Sequence, residues 1–169
     1  MSKSEFILLI LGILYGVALV DLLKIIRHKN HYWESIVWLV ILFLVVIADW
    51  FRLYNFVDII SQDIFLFTLY ILTPLIFVQV YFTLTPEDEN QSMKDYFLQT
   101  RKQFFTTIII YLISKILLQY YIHDDGKLFL RVLGISLYTI CIFWDKVWIR
   151  LIPVSVTCVA IYQTFILKW

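Results

Sequence analysis

Charge is scarce in this chain: of its 169 residues only 16% are Asp, Glu, Lys or Arg, and the formal net charge is +1. A nucleic-acid binder needs a clustered excess of Lys and Arg to displace counterions from phosphates, so no nucleic-acid partner is expected. Histidine and cysteine are scarcer still, with three and two copies. Three histidines are too few for a membrane di-iron hydroxylase and wrongly placed for haem ligation across spans. The cysteines, Cys141 and Cys158, fall in apolar segments at different depths, so no disulfide is expected and no redox compartment follows. No phosphate-cradling glycine loop, G-x-S-x-G or H-E-x-x-H motif occurs, and neither an internal repeat nor a low-complexity stretch is present. No cofactor is implied, and an integral-membrane enzyme ranks third among the function classes, because no carboxylates face each other convincingly.

What fills the chain instead is apolar: 62% of residues are hydrophobic and 18% aromatic, against ~45–50% apolar in a soluble domain. A soluble chain this short has too little interior for so many large side chains, whereas lipid accepts them on every face of a helix. Runs of the length needed to cross ~30 Å of hydrocarbon can be drawn six times. They are Phe6–Ile26, Tyr32–Phe51, Ile64–Leu84, Phe104–Tyr121, Leu128–Trp144 and Val147–Leu167. The expected fold is an all-α integral membrane protein, a single domain over 1–169 built as a bundle of about six transmembrane helices. Only Asp145 and Lys146 separate the last two runs, and Arg131 and Arg150 trim their cores. Five spans and a re-entrant segment therefore stay open as the alternative. Tyr32, Trp33, Trp50, Tyr81, Tyr120, Tyr121, Trp144, Trp148 and Trp169 fall at the proposed ends, where amphipathic rings prefer to sit.

Lys24, Arg27, Lys29, Lys94, Arg101, Lys102, Lys146 and Arg150 lie in the odd-numbered loops, against Lys3, Arg52, Lys127, Arg131 and Lys168 at the termini and in the even loops. Cationic flanks are retained in the cytoplasm, so both termini are expected outside. The first run is too long for a signal core, is followed by a basic cluster and lacks an A-x-A site, so it is read as a span. Between the third and fourth runs, Pro86 and Glu87, Asp88, Glu89 precede Met93, Tyr96, Phe97 and Thr100 at helical spacing. The 85–103 segment thus reads as a short amphipathic helix on the cytoplasmic face, either an interfacial anchor or a docking element for a protein partner.

Lys115 lies deep in the fourth run, and Thr107, Tyr111 and Gln119 share its face at i, i+4 spacing. An intramembrane cation is costly, so this stripe either lines a polar path or joins helices with Lys115 paired to a carboxylate. Asp49, near the outer end of the second run, matches its depth, and Arg52 is three residues on. Asp21 sits one turn before Lys24 and on the face of His28, where a local ion pair accounts for it. In the fifth run Arg131, Tyr138 and Asp145 fall on one stripe, with Gly134 and Cys141 beside it. Gly12 and Gly16, with Ala18 one position off, permit close helix packing within the chain or between copies. His28, His31 and Glu34 at spacings of three are conceivable metal ligands, with interfacial solvation as the ordinary role. His123, Asp124, Asp125 and Gly126 have the composition of a turn.

Gly16, Ala18, Asp21, Leu22 and Leu23 precede a basic turn, and Trp33 to Trp50 follow. Pro86, Asp95, Tyr96 and Arg101, Lys102, Gln103, Phe104, Phe105 then lead into the next span. In this pattern, over roughly its first 110 residues, the chain resembles a family of small bacterial inner-membrane proteins without assigned activity. The resemblance implies a bacterial plasma membrane and several spans, and names no active residue. Two function classes follow. One is an oligomeric channel or transporter-like protein whose path runs past Thr107, Tyr111, Lys115 and Gln119 with Asp49 as counter-ion. The other is a non-catalytic assembly or sensor subunit that docks through 85–103.

Overall fold

The computed structural model describes residues 3–27, 31–84, 86, 88, 90–122 and 128–166; side chains at 21–25, 27, 53–54 and 164–166 lie outside that description. The expected turn at 123–126, His28 and the side chains of Asp21 and Lys24 therefore fall outside it. The described residues form six α-helices and no strand: α1 (Lys3–Arg27), α2 (Trp33–Gln62), α3 (Ile64–Phe82), α4 (Met93–Ile122), α5 (Leu128–Phe143) and α6 (Val147–Ile166). By length and composition α1 to α4 are able to cross a membrane, while α5 and the Val147–Gln163 part of α6 are shorter apolar stretches.

Two helices outrun the apolar segments that mark them. α2 continues from Phe51 through Arg52 and Asp58 to Gln62, because no Gly or Pro interrupts those residues and each added residue gains a backbone hydrogen bond. Asp63 then ends α2 and starts α3, its side chain accepting from the N–H groups of Phe65 at 2.8 Å and Leu66 at 3.4 Å. α4 likewise begins at Met93, not Phe104, with the Ser92 hydroxyl 3.4 Å from the Asp95 N–H. The separate amphipathic helix expected over 85–103 is therefore the first part of α4. Its apolar face is spent inside the chain: Met93 and Phe97 are buried, Phe97 packs on Tyr32 and Phe104, and Tyr96 donates to the Phe82 carbonyl. A partner approaching this segment would meet Lys94, Asp95, Leu98 and Lys102 instead.

The helices close into a ring in the order α1, α3, α4, α5, α6, α2, and α2 also touches α3 and α4. This places α2 against the other helices that bear on the site described below, reaching α5 through Trp38 and Tyr138. Trp38 of α2 is fully buried, with Phe104, Phe105 and Tyr138 rings 5.3, 5.6 and 6.0 Å from it. Leu9, Ile13, Val17 and Val20 of α1 remain exposed on the outside, as lipid-facing residues would. Gly12 lets α1 approach α2, since a Cβ there would lie 3.2 Å from the Trp50 ring, while Gly16 has nothing within 4 Å. One position of the expected Gly12, Gly16 groove is thus filled by the chain's own Trp50.

Candidate functional site

The two charges matched by depth meet. Asp49 of α2 and Lys115 of α4 form an ion pair, Nζ to Oδ2, at 2.8 Å, with side chains 13% and 7% exposed. Tyr111 donates to the same oxygen at 2.5 Å and Tyr15 of α1 at 3.5 Å. The Lys115 ammonium also lies over the rings of Tyr70 and Tyr111, 5.4 and 5.5 Å from their centroids. Four helices, α1 to α4, thus converge on one carboxylate and one ammonium. Such a pair recovers its desolvation only when further hydrogen bonds complete it, which the two phenols do. Arg52, expected as the local partner of Asp49, lies over the Phe56 ring.

Arg131 of α5 extends the cluster by donating to the Lys115 carbonyl at 2.8 Å and to Gln119 Oε1. The Gln119 Nε2 is buried with no hydrogen-bond partner. Thr107 stands apart from the expected stripe: it is half-buried and its hydroxyl donates to the Gln103 carbonyl of its own helix at 2.8 Å. The expected α5 stripe is also shorter than its spacing implies, because α5 ends at Phe143 and Asp145 lies in the connection to α6. Tyr138, buried in that stripe, shares a 2.8 Å hydrogen bond with Thr157 of α6.

Beside Asp49 and Lys115 is a cavity of about 120 Å³ walled by α2, α4, α5 and α6, with Phe77 and Val80 from α3. Ala48, Gly134 and Ala160 line it, and their small side chains leave the room. Asp49, Arg52, Lys115 and Arg131 also line it, as do Trp38, Tyr138 and Thr157. Trp38 precedes Asp49 by eleven residues of helix, roughly 16 Å, so the charged groups and the Trp38 group mark two ends of an otherwise apolar chamber.

A second charge cluster lies toward the other end of the bundle, buried at Glu34, Arg150 and Arg101 and exposed at Asp145. Glu34, fully buried in the first turn of α2, accepts from Arg150 Nε at 2.6 Å and Nη2 at 2.9 Å. Arg150 also donates to Asp145 Oδ1 at 2.7 Å, and Arg101 donates to the same oxygen. Tyr32, just ahead of α2, donates to Glu34 at 2.8 Å. Burial first, then the Glu34 bond and charge, push its phenol above the ordinary value. With its carboxylate held this way, Glu34 is not free to join His31 as a metal ligand. This network was missed because Glu34 and Arg150 each sit at a span end, where water or headgroups would satisfy them. A signal did exist: Glu34, Trp38, Ile41, Val45, Asp49 and Arg52 recur at steps of three and four, one stripe of α2 joining both clusters. Cys141 and Cys158 are both free. No protein-family model, no curated protein and no solved structure matches the chain.

Proposed function

We propose that this chain is a six-span protein of a bacterial plasma membrane that acts as an anion-selective, transporter-like carrier, with the Asp49–Lys115 pair as its internal site. One observation carries the reading: a buried ion pair borders a cavity whose lining holds three cations and one carboxylate. An incoming anion competes with Asp49 for Lys115 while Arg52 and Arg131 supply the surrounding positive potential. The lining at the other end holds Trp38 and Tyr138, packed ring against ring, which suits a carrier better than a continuous polar pore. All these residues come from one chain, so a single copy supplies every charged group of the site. Both termini are placed outside by the distribution of Lys and Arg, which puts the Asp49 cluster toward the outer face.

Charge movement in vesicles on a solid-supported membrane tests the proposal, with chloride, acetate and octanesulfonate stepped in turn. A current with at least one anion is expected from the wild type, and its loss from Lys115→Met. Traces indistinguishable from those of empty vesicles for all three anions would overturn it.

A further inference from the structure

The cavity beside Asp49 and Lys115 is small, and its wall is of two kinds. Arg52, Lys115 and Arg131 stand on it against the single carboxylate of Asp49, and most of the remaining lining is apolar. Val45 and Leu112 belong to that apolar part, each about one helical turn, ~5.4 Å, ahead of Asp49 or Lys115 on the same helix. The apolar wall thus begins where the charges end. A bare inorganic anion gains nothing from such a wall, whereas an alkyl group gains in proportion to the area it buries. The volume, about 120 Å³, falls short of the ~150 Å³ that admits a benzene ring, so the room takes roughly five non-hydrogen atoms. Lys115 is already partnered by a carboxylate, whose oxygen also accepts from the hydroxyls of Tyr111 and Tyr15.

We propose that the cavity binds a short-chain monocarboxylate of about two or three carbons, its head at Lys115 and Arg131 and its alkyl end against Val45 and Leu112. The assignment rests on reading the Asp49–Lys115 site as the anion site of a carrier. The head replaces Asp49 as the partner of Lys115, and Asp49 keeps the Tyr111 and Tyr15 hydroxyls as donors. The single turn from Lys115 to Leu112 matches the reach of propionate. Longer acids exceed the room beside the cations. Ala160 of α6 is part of the wall, so carbon added there shortens the acid that fits.

The test is saturation-transfer NMR of propionate with the protein in phosphatidylcholine nanodiscs, read against empty discs, with the linear acids from formate to octanoate titrated as competitors. Affinity is expected to rise about fourfold per added carbon from formate to propionate and to fall from butyrate onward. Propionamide, the neutral isostere, and nitrate, which lacks the alkyl end, are expected to compete only at about tenfold higher concentration or more. Ala160→Val is expected to move the optimum from propionate to acetate or formate. Arg131→Met is expected to weaken every acid about tenfold without moving the optimum. An affinity that climbs steadily to octanoate would overturn the proposal, as would propionamide or nitrate competing as well as propionate, or an optimum that Ala160→Val leaves in place. The wild-type series keeps the test decisive if either variant fails to fold. A propionate optimum without charge movement in vesicles would remove the transport reading and leave this site standing. Anion currents without propionate binding would do the reverse.

Discussion

Arg150→Met is expected to destabilise the protein by about 3–5 kcal/mol, because it strands Glu34, which is 0% exposed and accepts from two Arg150 nitrogens. The hydroxyl of Tyr32 would be left as a single remaining donor to a buried carboxylate. Asp145 would also lose the guanidinium that draws the α5–α6 connection onto the start of α2, keeping its bond from Arg101. Replacing both partners, as in Glu34→Leu with Arg150→Met, should return most of that stability, since an apolar pair carries no desolvation cost. Equilibrium unfolding in mixed detergent micelles measures all three variants. A single variant within about 1 kcal/mol of wild type would show that the pair is not buried as described.

Lys115→Met should likewise cost about 3 kcal/mol or more, for Asp49 would keep only the Tyr111 and Tyr15 hydroxyls as partners in a setting where its side chain is 13% exposed. Asp49→Asn, which leaves Lys115 over two aromatic rings without a counter-charge, is expected to cost a similar amount. The double variant should be more stable than the sum of the two losses implies, with a coupling of about 1–3 kcal/mol. Additive losses would mean that the carboxylate and the ammonium are each solvated through the cavity and do not depend on one another.

The helices were legible because apolar run length is a local property. α6 starts at Val147, where its run starts, and α5 ends within one residue of its run. The ends of α2 and α4 were not, since hydropathy marks where lipid lies while the helix continues until a cap or a proline stops it, as Asp63 does for α2. Asp49 and Lys115 could be paired because Lys115 lies well inside its span and needs a carboxylate, and Asp49 is the one that matches its depth. Glu34 and Arg150 could not, because a charge at a span end has an inexpensive local explanation and the convergence of three span ends is a tertiary fact. Pro74 and Pro153 lie within α3 and α6, where the helices absorb them. The cavity depends on Ala48, Gly134 and Ala160 from three helices meeting across a gap, which no single helix pattern encodes.

Water access to the Asp49–Lys115 site from both faces of the bilayer bears most directly on the carrier role. Ala48 lines the cavity beside Asp49, and Cys141 and Cys158 can both be replaced by Ser so that a cysteine introduced there is alone. In vesicles of known orientation, an impermeant methanethiosulfonate applied to each face in turn is expected to modify Ala48→Cys from both sides. Modification from one face only, or from neither, would contradict the account.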